Sequence, residues 1–345
     1  MTNLDQLALI NSLDKDNLAE HILALPNQII LGQQKAEKLV LPSAWEKCHQ
    51  VVFCGMGGSA LVGDLLTDLP MTEREIKFTV IRDYQVPLWV DKNTLVVLVS
   101  HSGQTQETVQ AFKSAATNEA QLLIVAEQGE IEKLGQAENA LVVDYDTFAP
   151  PRASLGYQLG IIFTLLKKAK FISGDLGAAI KLLTSLGQTY QQATPTENNR
   201  AKNIAYSLFD HLPVIVSSGI LTSVGYRWKT QFNENAKNFA FIENLPEAMH
   251  NAIEGMDQPV RFRDDLIYFV LTNDFDNPAL TAQIEKFKNI LIDKKINYEI
   301  VAAEGNDVFS QKLSTLFLGD WISFYLAMLN NINPTPVETI TKAKG

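Results

Sequence analysis

The feature that most limits what this chain can fold into is a unit that recurs along it: a short unbroken apolar run, a break into glycines or hydroxyls, then a helical pattern. The first full copy is HQVVFCGMGGSALVGDLL, residues 49 to 66. Unbroken apolar runs are the signature of strands buried on both faces, and their alternation with helices specifies a parallel sheet covered on both sides. Four more strands are predicted from KFTVIRD, NTLVVLVS, QLLIVAE and ALVVDYD, and TQETVQAFKSAAT reads as a helix from its apolar spacing. Two amphipathic helices precede them, roughly Asp14 to Leu25 and Pro26 to Val40.

Helical patterns dominate from Ser154 to about Gln191. The stretch QQATPTENN then loses apolar periodicity and gains a proline, which predicts a domain boundary there and divides the chain into 1–192 and 193–345. The second half restarts the same grammar: LPVIVSSGILTSVGYRWKTQFNENAK reads strand, turn at Gly219, helix, and lies over residues 49 to 66 as a weak internal repeat. FAFIE, DLIYFVLTN and INYEIVAAE supply further strands, and a long helix is expected from Val308 to Leu329. The predicted fold is α/β, with two doubly wound, flavodoxin-like parallel-sheet subdomains.

The formal net charge of -10 argues against nucleic acid and anionic membranes as partners, although a local site could still take a phosphate on a small molecule. No apolar run approaches the ~18 residues of a membrane span and no signal segment opens the chain. A cytoplasmic protein is expected. The two cysteines, Cys48 and Cys54, flank the first predicted strand without partners at zinc spacing, and buried reduced thiols are expected.

In doubly wound sheets ligands sit beyond the carboxyl ends of the strands, where the connections diverge to opposite faces. The loops after VVFC and VVLV are therefore the places to look. The first, Gly55 to Ser59, lets main chain approach a ligand closely and ends in a hydroxyl at a helix start. The second lies in LVSHSGQTQETV, where Ser100, Ser102 and Thr105 precede a helix N-terminus with its free N–H groups. Together they form an anion cradle suited to a phosphate monoester. GMGGSA is neither GxxxxGK[ST] nor GxGxxG, which disfavours a nucleotide.

Five segments, GMGGSALVGDLL, SHSGQTQET, PRASLGY, NENAK and LPEAMHNAIEG, follow in order between Gly55 and Gly255. In sequence and spacing they resemble the bifunctional phosphoglucose/phosphomannose isomerases of archaea and bacteria, which have the sugar isomerase (SIS) fold. The resemblance implies phosphosugar binding by Gly58, Ser59, Ser100, Ser102 and Thr105, and a role for Arg152 in holding charge that develops on the sugar. His101 takes a place often filled by tyrosine, and in an extended segment its side chain is expected to alternate away from the hydroxyls.

Interconverting an aldose phosphate and a ketose phosphate requires opening a hemiacetal ring, then moving a proton between C1 and C2 through an enediol. A carboxylate must carry that proton, an acid/base pair must break the ring, and a cation must steady the enediolate. Glu234 in FNENAK is the candidate carbon base, at the end of a predicted helix and flanked by amides. It matches the glutamate base of the family. Glu243, Glu247 and Glu254 compete for the role but lie outside the matching segment, and Asp144 or Asp146 could pair with Arg152. The resemblance implies that His250 assists ring opening from the neighbouring subunit of a homodimer. It also implies a catalytic lysine near the C-terminus, for which the register favours Lys344 over Lys342, and a threonine, Thr335 or Thr339, that makes room for mannose 6-phosphate. His21, His49 and His211 read as structural. The expected enzyme interconverts glucose 6-phosphate, and mannose 6-phosphate, with fructose 6-phosphate without a metal or cofactor. The alternatives are a ketosamine-6-phosphate deaminase or deglycase of the same fold and a noncatalytic phosphosugar sensor.

Overall fold

The computed structural model describes residues 3–69, 76–145 and 149–344, the last by its main chain only. These form two compact units, Ala24–Asp175 and the combination of Met1–Leu23 with Leu176–Gly345. The chain opens with α1 (Leu7–Leu13) and α2 (Leu18–Leu23). The expected helix from Asp14 starts later, because Asp14 itself caps it: its carboxylate accepts from the Leu18 and Ala19 amides at 2.7 and 3.0 Å.

In the unit Ala24–Asp175, α3 (Leu25–Glu37) precedes a sheet of β1 (Gln50–Cys54), β2 (Lys77–Ile81), β3 (Thr94–Ser100), β4 (Gln121–Ala126) and β5 (Leu141–Asp144). All pairings are parallel and the order is β2-β1-β3-β4-β5. The helices are α4 (Gly58–Thr67), α5 (Gln106–Thr117), α6 (Glu130–Ala137) and α7 (Leu155–Lys168). The apolar runs sort by the two-residue period of a strand. Val52, Cys54, Val96, Leu98, Leu122 and Ile124 face Val109, Phe112 and Ile131 of α5 and α6, whereas Phe53 turns to the opposite face and meets α4 at Gly63. Every residue of β3 is buried, as its unbroken TLVVLVS requires. Cys48 and Cys54 are free, buried thiols, and desolvation raises their pKa values to about 11 and about 12.

The other unit continues with α8 (Gly177–Tyr190), α9 (Arg200–Leu208), β6 (Leu212–Ser217), α10 (Thr222–Glu234), β7 (Phe241–Asn244), β8 (Leu266–Thr272), α11 (Pro278–Asp293), β9 (Asn297–Ala302), α12 (Val308–Leu329) and α13 (Glu338–Lys344). Its sheet is parallel with order β7-β6-β8-β9. Val214, Val216, Tyr268 and Val270 pack against Ile284, Phe287 and Leu291 of α11. On the other face Trp228 of α10 meets Phe269 of β8, with ring centroids 6.1 Å apart. Each unit is thus a three-layer α/β/α sandwich. The long helix α12 is buried from Ser310 to Leu329 without a polar face. Its one carboxylate there, Asp320, takes two 3.0 Å bonds from the buried Arg227 guanidinium of α10.

The division between units differs from the expected boundary at 192. Helices α2 and α8 pack on α12 and so belong with the C-terminal half. QQATPTENN is a built turn rather than a linker. Its Asn199 donates to the Tyr190 carbonyl at 3.0 Å, and the fully buried Lys202 ammonium takes the carbonyls of Gln192 and Thr194 at 2.9 and 2.8 Å. Polarity there marks hydrogen bonding to a buried cation, which a loss of apolar periodicity does not distinguish from exposure. Among the described residues no helix is long and apolar enough to cross a membrane.

Candidate active site

Strands β1 and β3 are neighbours, Cys54 pairing with Leu98, and they lie where this strand order reverses direction. The two loops singled out in the sequence therefore leave adjacent strand ends. The buried Ser100 hydroxyl donates to Thr105 Oγ1 at 3.1 Å. Thr105 occupies the N-cap position of α5 without capping it, and Gly57 at the start of α4 has no side chain to do so. Two helix N-termini at this end of the sheet consequently lack side-chain caps, and N–H groups of this kind suit an anion. Ser102 is exposed, and its hydroxyl accepts from the Gln104 amide at 3.3 Å.

The hydroxyl loop is fixed from behind. Gly103 has φ +64°, and a Cβ there would lie 1.6 Å from the Gln128 carbonyl oxygen, so only glycine fits. Its own carbonyl accepts from the Ile131 amide at 3.0 Å. His101 meets Glu127, with Nε2 to Oε1 at 3.6 Å, and the Tyr145 hydroxyl at 3.5 Å from Nδ1. Burial holds the His101 pKa below its ordinary value despite the nearby carboxylate. The Tyr145 hydroxyl in turn accepts from Gln158 Nε2 at 2.7 Å.

The first loop is met by the turn Pro151–Ala153. A Cβ on Gly58 would lie 3.4 Å from Cα of the buried Arg152. That turn is held by Gln28 of α3, whose Nε2 donates to the Ala153 carbonyl at 2.9 Å and whose Oε1 accepts from Gly156 N at 3.2 Å. Asp144 pairs with Lys35 at 2.8 Å, which lowers the Asp144 pKa, and Asp146 lies outside the described residues. This unit therefore gathers Gly58, Ser59, Ser100, Thr105 and the Arg152 turn at one end of its sheet, with Ser102 at the rim. Sequence reading missed Gln28, Tyr145 and Gln158. Gln28 and Gln158 are buried amides on otherwise apolar helix faces, and that pattern was the available signal.

The remaining candidates lie in the other unit. Glu234 is the last residue of α10 and half-buried, and the Asn235 amide beside it donates to Ser323 of α12 at 2.9 Å. His250 is exposed in the turn Glu247–His250 that follows β7. Of the competing carboxylates, Glu243 sits on β7 with a pKa raised by burial. Glu247 accepts from Asn251 at 2.9 Å, and Glu254 is exposed. Lys342 is exposed on α13, and the Lys344 side chain lies outside the described residues.

Residues 197–345 match the family model described as the bacterial phospho-glucose isomerase C-terminal SIS domain. A bifunctional phosphoglucose/phosphomannose isomerase of Caldicellulosiruptor bescii is 30% identical over 334 residues, 94% of this chain and 97% of the relative. One from Aquifex aeolicus is 31% identical over 296 residues, 85% and 89% of the two chains. Among solved structures, a hypothetical protein from Thermus thermophilus superposes with a TM-score of 0.76 over 98% of this chain and 91% of its own. At 16% identity that likeness speaks to the fold alone. A relationship at this level over nearly the full length of both chains places the protein in the family of bifunctional phosphoglucose/phosphomannose isomerases.

Proposed function

We propose that this protein is an aldose–ketose isomerase that interconverts glucose 6-phosphate, and mannose 6-phosphate, with fructose 6-phosphate. The observation that carries the reading is the neutral cradle at the switch point, with Ser100 and Thr105 in one hydroxyl cluster beside uncapped helix N-termini, in a chain related end to end to isomerases of that name. Phosphate is bound by Gly58, Ser59, Ser100, Ser102 and Thr105 through hydroxyls and main-chain N–H groups. Such donors hold a dianion without removing its charge, so binding energy anchors the end of the sugar that does not react.

Glu234 takes the proton from one of C1 and C2 and returns it to the other, Arg152 steadies the enediolate oxygen, and His250 with Lys344 moves the protons of ring opening. The reaction as written needs no metal and no organic cofactor. His250 serves the site of the partner in a homodimer. Its exposure at a turn suits a side chain offered outward.

The test is a coupled assay of the purified protein in EDTA, with glucose 6-phosphate and mannose 6-phosphate as separate substrates. Turnover of both supports the reading, and binding without turnover of either overturns it in favour of the amino-sugar enzyme or the sensor. Glu234→Gln should lower kcat by about a thousandfold while phosphosugar still binds, the range for loss of a general base. Mixing Glu234→Gln with His250→Ala subunits should restore a fraction of the activity, since a hybrid dimer has one intact site. No recovery on mixing, despite subunit exchange, would refute the shared site.

A further inference from the structure

Lys237 follows the proposed base by three residues, in the left-handed conformation at φ +53°. Its ammonium lies 2.8 Å from the carbonyl oxygen of Glu234 and 3.4 Å from that of Asn235, at the end of α10. The last carbonyls of a helix lack intrahelical partners and carry partial negative charge, so a cation at this position is expected. The same ammonium also binds the carbonyls of Asn333 and Pro334, at 3.2 and 2.9 Å. Those two residues belong to the connection between α12 and α13.

Both ends of this bridge have other ties. The end of α10 has other ties to α12: Asn235 Nδ2 donates to Ser323 at 2.9 Å, Asn330 Nδ2 donates to the Ala236 carbonyl at 3.0 Å, and Arg227 pairs with Asp320. The connection to α13 has a side-chain contact from Asn333 to Asp16 at 3.1 Å on the surface, and the Thr335 amide bonds locally to Asn333 Oδ1. The ties of the end of α10 to α12 do not involve the ammonium, so removing it leaves α10 anchored and takes from the C-terminal connection its bonds at the Asn333 and Pro334 carbonyls.

We infer that Lys237 is a positioning residue, which ties the C-terminal segment bearing Lys342 and Lys344 to the end of the helix that bears Glu234. Its consequence for turnover rests on the isomerase reading, whereas the tether itself does not. One ammonium shared by four main-chain carbonyls sets where α13 begins relative to the base. A displacement of about 1 Å in such a segment is enough to slow a reaction up to about a hundredfold.

The experiment compares full-length wild type, Lys237→Met, Lys237→Arg and Glu234→Gln by amide hydrogen exchange and by steady-state kinetics with fructose 6-phosphate. In Lys237→Met, exchange within 335–344 should accelerate about tenfold while α10 and α12 keep their protection, and kcat should fall about tenfold with KM within about twofold. Lys237→Arg should restore both. Unchanged exchange in 335–344 overturns the tether. Accelerated exchange with unchanged kcat overturns its part in catalysis, and protection lost equally across α10 and α12 reduces the residue to a general structural role. If wild type turns over no phosphosugar while Glu234→Gln matches it, the isomerase reading fails, and the exchange data still decide the tether.

Discussion

The two sheets share the order of their first four strands, β2-β1-β3-β4 in one unit and β7-β6-β8-β9 in the other, yet their switch-point loops are filled differently. Between β1 and β3 the chain supplies hydroxyls and glycine main chain. Between β6 and β8 it supplies a carboxylate. The Ser218 hydroxyl donates to Asp276 Oδ2 at 2.7 Å, and Gly219, at φ +50°, approaches so closely that a Cβ would lie 2.1 Å from Asp276 Oδ1. Asp274 on the same loop is clasped by Gln311 of α12, whose Nε2 donates to its carboxylate at 2.6 Å and whose Oε1 accepts from its amide at 2.9 Å. The second crevice thus carries its own anion, where the first, on the proposed reading, receives one from the substrate. Topology fixes where a ligand can sit, and loop side chains decide whether it does.

Removing the donors of the first crevice should have the largest effect on this contrast. Ser100→Ala with Thr105→Val should raise KM for glucose 6-phosphate by about tenfold for each charge-assisted hydrogen bond lost, with little change in thermal midpoint. An unchanged KM would mean that the two crevices do not differ in the way described. Asp276→Ala should do the reverse. Loss of the Ser218 bond should cost about 1–2 kcal/mol in urea unfolding while KM stays within about twofold, and an intact unfolding midpoint would show that Asp276 is not structural.

The smallest effect concerns pH. Burial depresses the folded-state pKa of His101, so below the ordinary histidine value of about 6.5 an opened loop binds more protons than the folded one. The contribution of neutral His101 is complete above that pH and declines as pH falls toward the folded-state pKa. KM for phosphosugar should accordingly rise between pH 7.5 and 5.5 by about twofold more in wild type than in His101→Tyr. The comparison within one substrate cancels titration of the phosphate itself. Parallel profiles would remove His101 from the loop's support.

The strands were legible because a strand buried on both faces has no polar positions to confuse its reading, as TLVVLVS in β3 shows. The hydroxyl loops were legible because they interrupt such runs. What the sequence hid were pairings between distant segments. An amide on the apolar face of α3 marks Gln28 as bonded to something, but not that its partner is the Arg152 turn, 125 residues away, and nothing local marks Lys237 as a tie to Asn333, 96 residues on. Helix α1 is seven residues long and too short for periodicity to register. The difference between the expected boundary at 192 and the division of the compact units has the same origin, since the polar run 191–199 encloses a lysine ammonium that lies eight residues from its Thr194 contact.

The discontinuous unit has a consequence for biosynthesis. Residues 24–175 form a contiguous unit that can close as soon as it has emerged from the ribosome, because its sheet needs nothing made later. The other unit starts with residues 1–23 and cannot finish until α12, whose α2 contact they supply, has been translated. For most of synthesis the N-terminal helices therefore wait without their apolar partner. When α12 arrives, it comes as a 22-residue helix with no side fit for water. Completion of that unit thus waits for α12, and until it is made the apolar faces of α1 and α2 are open to a chaperone that shields such segments.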